Sequence, residues 1–242
     1  MEGYVDIHSH LLYGMDDGSK NIEQTRSMVR IAYEEGIRSI IATPHYHYNF
    51  NNKSIEEIDE IFHKQKEEIE KTWPEMKLYL GNEIFYSHDS VKLLNEKQIK
   101  TMADSMYVLV EFSPQADYRY IKNGLHELVL EGYCPILAHV ERYPSVVKDL
   151  SIVEEFIEMG VYIQVNAMSI TGGTMGRVYQ RITRKLLKKG CVHFIATDSH
   201  SDKVRAPRLK KCVEYITKKY GQAYARELLY ENQKKILCNE YL

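Results

Sequence analysis

The chain has 242 residues, 44% of them hydrophobic and 27% charged. That is the balance of an ordinary soluble globular protein, long enough to bury a core without disulfide or metal staples. Lys plus Arg number 32 and Asp plus Glu 34, a net charge of −2, which argues against a dedicated nucleic-acid binder, usually strongly basic. No stretch is apolar over the length a membrane span needs, and the opening Met1-Glu2-Gly3-Tyr4-Val5-Asp6 lacks the basic and apolar runs of a secretory signal. The four cysteines, Cys134, Cys191, Cys212 and Cys238, form no Cys-x-x-Cys pair, so a thiolate zinc or redox site is not expected. These readings place the chain in the cytoplasm.

In chain order, a first strand is expected over 4–8. Thr25, Met28, Val29, Ala32 and Tyr33 then recur at helical spacing. Glu35-Gly36 ends that helix, glycine supplying a left-handed cap, and a strand follows over 38–43. Ser54 with Glu57 forms a capping box ahead of Ile55, Ile58, Phe62 and Ile69. Strands follow over 77–82 and 107–111. Leu125, Leu128 and Val129 mark a helix that ends at Glu131-Gly132 before a strand over 135–139. Met159-Gly160 precedes a strand over 161–166, and Lys189-Gly190 one over 193–197. The tail from Ala206 reads as two helices broken near Gly221. Helix, glycine cap and apolar strand in series mean α/β with parallel strands.

Seven parallel strands can make an open doubly wound sheet or a closed barrel. Most of them end in a residue able to bind a metal. A barrel turns every carboxyl end to one mouth, whereas an open sheet gathers far fewer at its switch point. The expectation is a distorted seven-stranded (β/α)7 barrel with a metal site at the C-terminal ends of the strands.

The first strand ends Asp6-Ile7-His8-Ser9-His10. Strand side chains alternate, so His8 and His10 point the same way and can grip one ion. Alone, the pair fits two polar residues at a strand mouth equally well. Gly14-Met15-Asp16-Asp17-Gly18 follows, a turn that Asp and Gly favour on backbone grounds. Then Thr43-Pro44-His45, Leu80-Gly81-Asn82-Glu83, Val110-Glu111, Ala138-His139 and Asp198-Ser199-His200 each close or follow a strand. The set of nine is His8, His10, Asp17, His45, Glu83, Glu111, His139, Asp198 and His200: five histidines and four carboxylates, without a thiolate. Such donors suit Mn²⁺, Fe²⁺ or Zn²⁺, and nine are too many for one ion. Two or three ions are expected, with a carboxylate bridging. Three ions would outweigh the carboxylates and attract an anion, and such a cluster suits phosphoryl transfer.

Arg142 lies three residues after His139 and Arg205 five after His200. Either can hold two phosphate oxygens or form a surface salt bridge; their closeness to the ligands favours phosphate. His63, His88, His126 and His193 have no ligand-like companions, and His47 is a weaker candidate for the rim. No cysteine has an arginine six residues on, so a thiol phosphatase loop is absent, and no nucleotide-binding glycine loop or His-Glu-x-x-His occurs.

Asp6-Ile7-His8-Ser9-His10 followed by Gly14-Met15-Asp16-Asp17-Gly18 resembles the opening of the polymerase-and-histidinol-phosphatase (PHP) superfamily. More closely, the chain resembles the manganese-dependent protein-tyrosine phosphatases of Gram-positive capsule and exopolysaccharide loci. Ala42-Thr43-Pro44-His45, Gly81-Asn82-Glu83, Val110-Glu111, Ala138-His139-Val140-Glu141-Arg142-Tyr143 and Thr197-Asp198-Ser199-His200 continue the match in order. The resemblance implies a single phosphatase domain over 1–242, a distorted barrel and a centre of three ions. It implies that His8, His10, Glu83 and Asp198 hold one ion, that Glu83 bridges to a second held also by Glu111 and His139, and that Asp17, His45 and His200 serve a third. It further implies direct attack of a metal-bound hydroxide on phosphorus, with Arg142 and Arg205 as the catalytic, phosphate-binding arginines. The implied partner is a tyrosine autokinase with a C-terminal tyrosine cluster. The aromatic segment 46–50 directly follows a ligand and is expected at the mouth, where its rings could meet a substrate ring. Two rival readings are a PHP phosphatase for a small monoester such as histidinol phosphate, and a metal-binding regulatory module without activity.

Overall fold

The structure, a computed structural model, describes residues 3–48, 52–172 and 176–242. Nine strands run along it: β1 (Tyr4–Ser9), β2 (Ile37–Ala42), β3 (His45–His47), β4 (Lys77–Leu80), β5 (Glu83–Phe85), β6 (Tyr107–Glu111), β7 (Cys134–Leu137), β8 (Tyr162–Asn166) and β9 (Phe194–Ala196). Every pairing among them is parallel. The order is β1-β2-β4 in one sheet and β3-β5-β6-β7-β8-β9 in the other.

The architecture is therefore parallel α/β, but the expected seven-stranded closed ladder is not what the strands form. Two of the expected strands are each broken in two. Pro44 stands between β2 and β3 and has no N–H to give a ladder. Gly81-Asn82 separates β4 from β5. At this second break the chain is pressed against its neighbours: a Cβ on Gly81 would lie 2.9 Å from Met102 Sδ and 3.2 Å from Met102 Cα. The Asn82 side chain donates to Pro44 O at 2.9 Å and accepts from Lys100 N at 2.9 Å, so it ties the two breaks together. The two sheets approach where β1 meets β9. There Asp198 N donates to His8 O and His10 N to Ser199 O, both at 2.8 Å.

Helices lie between the strands. The helix Ile22–Glu34 starts at Asn21, whose side chain accepts from Gln24 N. The expected capping box of Ser54 and Glu57 opens Ile55–Thr72. Gly36 and Gly160, at the helix ends predicted to need them, have φ of 92° and 91°. The tail holds Lys210–Tyr220 and then a run from Gln222 to Leu237 that widens into a π-helical turn over Glu227–Glu231. Apolar residues form two layers. Val5, Ile7, Ile41, Leu109, Ile136 and Phe194 fill the concave side of the sheets. Met28, Ile40, Val108, Leu137, Ile163 and Leu186 pack between strands and helices. No described helix is long and apolar enough to cross a membrane.

Candidate metal centre

The carboxyl ends of the strands carry the polar residues, and the alternation of each strand aims them. His8 and His10 leave β1 on one side, their Nε2 atoms 3.2 Å apart. Both are buried. Glu83 opens β5 and is buried beneath them; its Oε2 lies 3.0 Å from His8 Nε2, 3.1 Å from His10 Nε2 and 3.2 Å from His45 Nδ1. Its other oxygen meets His139 Nε2 at 2.9 Å. Four imidazoles thus surround one carboxylate. Glu111 at the end of β6 lies 3.0 Å from His45 Nδ1 and 3.5 Å from His139 Nε2. Asp17 Oδ1 faces His45 Nε2 at 3.5 Å and His200 Nε2 at 3.4 Å. Asp198 Oδ1 lies 3.5 Å from His8 Nε2 and 3.4 Å from His200 Nδ1.

Three sets of donor atoms lie within 4.8 Å of one another: His10, Asp17, His45 and His200; His8, His10 and Asp198; His45, Glu83 and Glu111. The first shares His10 with the second and His45 with the third, an overlap that the partition implied by the resemblance does not have. The donors are imidazole nitrogens and carboxylate oxygens alone, and they converge without intervening apolar atoms. That chemistry fits borderline divalent ions such as Mn²⁺, Fe²⁺ or Zn²⁺.

Charge in the site follows from burial against neighbours. Burial opposes a charge on His10, but Asp16 and Glu83 beside it prevail and lift it to about 9. Burial likewise opposes charge on His139, where Glu111 and Glu83 lift it to about 9. His45 rises to about 11 against burial because Asp17 and Glu111 bond to it. At His200 burial wins and the value falls. Burial works to raise Glu83 and Asp198, yet His8 and His10 hold the first, and His8 with Arg142 and Arg205 the second, below the carboxylate range.

Arg142 Nη2 and Arg205 Nη2 both bond to Asp198, to Oδ2 and Oδ1 respectively, each at 2.7 Å. Both arginines line an open cavity of about 640 Å³ together with Asp17, His45, Glu83, Glu111, His139, Asp198 and His200. Tyr46, His47 and Phe85 also line it. Tyr48 is exposed and its ring stacks on His47 with centroids 5.1 Å apart. Asn49 and Phe50, the tip of the aromatic segment, lie outside the described residues. His63, His88, His126, His193 and the four cysteines do not line this cavity.

The profile of the family described as capsular polysaccharide synthesis, CpsB/CapC, matches residues 4–238. The chain belongs to this family. The CpsB/CapC relatives include tyrosine-protein phosphatase CpsB of Streptococcus pneumoniae, 32% identical over 242 residues, which cover 98% of this chain and 100% of that protein. Tyrosine-protein phosphatase YwqE of Bacillus subtilis strain 168 is 28% identical over 236 residues, covering 98% of this chain and 92% of that protein. A structure from the crystallographic description of YwqE and CpsB as metal-dependent tyrosine phosphatases has a TM-score of 0.92 at 28% identity, over 98% of this chain and 96% of that one. The Escherichia coli phosphotriesterase homology protein, with a TM-score of 0.63 and 11% identity over 98% of this chain and 99% of that one, shares the fold alone.

Within this CpsB/CapC site, Asp16 is a residue that the sequence did not single out. Its Oδ2 takes His10 Nδ1 at 2.7 Å and His45 N at 2.9 Å, and its Oδ1 takes Gly18 N at 2.9 Å. One carboxylate thus fixes a candidate ligand, the start of β3 and the turn that carries Asp17. Gly18 permits this: a Cβ there would sit 2.1 Å from His10 O. The available signal was the pair Asp16-Asp17 itself, in which only one side chain can face the cavity.

Proposed function

We propose that the chain is a metal-dependent protein-tyrosine phosphatase. In this reading it works with two or three divalent ions, Mn²⁺ before Fe²⁺ or Zn²⁺. His8, His10, Asp17, His45, Glu83, Glu111, His139, Asp198 and His200 are the ligands. Its substrate is a tyrosine-phosphorylated protein, a tyrosine autokinase tail in the cytoplasm, and its place is in the control of capsule or exopolysaccharide synthesis. The two sheets together act as one distorted barrel with the ions at its mouth. Membership of the CpsB/CapC family and the convergence of nine nitrogen and oxygen donors support this reading.

The observation that carries the substrate class is the register of β3, β5 and β6. His45 pairs with Glu83, and two residues on His47 pairs with Phe85, which in turn pairs with Glu111. Side chains two apart share a face, so an aromatic rung stands directly above a rung of donors. The step between them is about 7 Å along the strands. The His47 and Phe85 ring centroids are 4.3 Å apart. A phosphoryl group at the level of His45 and Glu83 places an aryl ring, one bridging oxygen away, within that step. A serine phosphate has no ring to set there.

When bound, the ions polarise phosphoryl oxygens and make water acidic enough to supply a nucleophile at neutral pH. The guanidiniums of Arg142 and Arg205 hold the phosphate's outer oxygens through paired N–H groups. His47 and Phe85 orient the ring. The departing phenolate, with a pKa of about 10, leaves without a strong general acid, and no cysteine takes part.

The test is turnover on a phosphotyrosine peptide, a phosphoserine peptide and histidinol phosphate with defined metals. A chelator should abolish activity and Mn²⁺ restore it best. The phosphotyrosine peptide should show the highest kcat/KM. Phe85→Ala should lower that value several-fold, since a ring contact contributes about 0.5–1.5 kcal/mol, and leave the ring-free substrate unchanged. A preference for histidinol phosphate would replace this reading by a small-monoester phosphatase.

A further inference from the structure

β8 is the one strand position at the mouth that supplies none of the nine candidate ligands. Its last residues are Gln164-Val165-Asn166. Gln164 and Asn166 are two apart, share a face and are buried, whereas Val165 packs on the helix side. A buried amide must find partners for both its oxygen and its nitrogen. Those of Gln164 and Asn166 lead, one after the other, to three ligands.

One backbone group fixes the direction of every bond in this chain. His139 N lies 2.8 Å from the Gln164 side chain. A backbone N–H only donates, so the amide atom facing it is the oxygen, Oε1. The same oxygen lies 3.3 Å from His8 Nδ1. An amide oxygen only accepts, so Nδ1 of His8 carries a proton, and Nε2 is the nitrogen with the free lone pair. Nε2 is the atom aimed at Glu83 and Asp198. The other end of the amide, Nε2 of Gln164, must donate, and it does so to Asn166 Oδ1 at 2.8 Å. That leaves Asn166 with its nitrogen outward, and Nδ2 donates to Asp198 Oδ2 at 2.8 Å. With Oδ2 occupied by Asn166 and by Arg142, Oδ1 is the oxygen turned toward His8 and His10. His139 and Asp198 have left-handed backbones, with φ of 32° and 52°. Both are non-glycine positions where that conformation is strained, and each is held by a bond of this relay.

We propose that Gln164 and Asn166 are positioning residues of the metal centre. They set the tautomer of His8, hold the backbone that presents His139, and select the ion-facing oxygen of Asp198. The inference rests on the reading of those three residues as ligands. Partners of this kind fix ligand orientation, and their loss typically lowers metal affinity about 10- to 100-fold. The role of the imidazole nitrogen left outside the metal is the general reason: its hydrogen bond decides which nitrogen coordinates.

The experiment is a competition titration of Mn²⁺ and Zn²⁺ against a chromophoric chelator, with wild type, Gln164→Leu and Gln164→Glu, each checked for fold by circular dichroism. Gln164→Leu keeps the size and loses the acceptor, so affinity should fall about 10- to 100-fold. Gln164→Glu keeps an oxygen for His139 N and His8 Nδ1 and should recover most of that loss. Nitrogen-15 NMR of Zn²⁺-loaded wild type needs no variant, and it should show His8 protonated at Nδ1. Equal affinities for wild type and folded Gln164→Leu would overturn the inference alone, as would a His8 proton on Nε2 or a Gln164→Glu variant no better than Gln164→Leu. A wild type that bound no divalent ion would overturn the metal-centre reading, and this inference with it.

Discussion

Asp16 and Asp17 are adjacent and do opposite things. The Asp17 side chain is 68% exposed and faces His45 and His200 across the cavity. The Asp16 side chain is 5% exposed and turned inward onto two backbone N–H groups and His10. Asp16→Asn keeps the shape and removes the charge that draws a proton to His10 Nδ1. Metal affinity should fall about 10- to 100-fold, the usual scale for losing a carboxylate behind a ligating histidine. A chelator competition titration measures it, and an unchanged affinity would return Asp16 to the role of an ordinary turn former. Arg205 offers a contrasting case. Its side chain is 32% exposed and reaches Asp198 from the cavity side. Arg205→Ala should lower turnover about 10²-fold, the scale of one preorganised charge donor, with metal content and melting temperature nearly unchanged. Wild-type kinetics in that variant would make the arginine a salt bridge and nothing more.

At the scale of elements, the two broken strands matter more than the unbroken ones. The breaks at Pro44 and at Gly81-Asn82 let β3 and β5 run on as a separate ladder, and that ladder carries both His45-Glu83 and His47-Phe85. Gly81→Ala tests how tight the second break is. A Cβ there meets Met102 Sδ at 2.9 Å and Met102 Cα at 3.2 Å, so backbone must shift. Overpacking of this kind costs about 1–3 kcal/mol, readable as a lower midpoint in urea unfolding. An unaffected midpoint would mean that Met102 can move aside. Runs such as Tyr107-Val108-Leu109-Val110-Glu111 made the strands legible in the sequence, because parallel strands are apolar on both faces. The ligands were legible for a related reason: a His or Glu at the end of such a run has no packing explanation. The breaks were not legible, since Pro44 and Gly81 sit inside segments that read as continuous and their effect depends on Asn82 bonding across space. Gln164 and Asn166 were silent because an amide on a strand carries no signal until its partners are known. Asp16 was hidden by the local turn chemistry that explains it equally well.

For the molecule as a whole, ion binding and protonation are one equilibrium. Without ions, the carboxylates around them lift His10 and His139 to about 9 and His45 to about 11, against burial. All three hold protons at neutral pH. An ion needs the lone pair that each proton occupies, so loading must expel protons. Affinity for Mn²⁺ should therefore rise from about pH 6 to about pH 9 and level off as the imidazoles become neutral. Stability of the metal-free chain runs the other way. The unfolded histidine value is about 6.5, and the folded values lie above it. Their contribution to stability is thus fully present below about pH 6.5 and is lost as pH climbs through about 9. The loaded chain escapes this loss, because the ion takes the proton's place among Glu83, Glu111 and Asp17. The gap in melting temperature between loaded and metal-free protein should widen steadily across that window. Calorimetric titration of Mn²⁺ near pH 7.5, in buffers of different ionisation enthalpy, should report a net release of at least about one proton per chain. An affinity independent of pH, with no net proton release, would mean that the histidines are already neutral in the metal-free protein and that the carboxylates around them are held by other means.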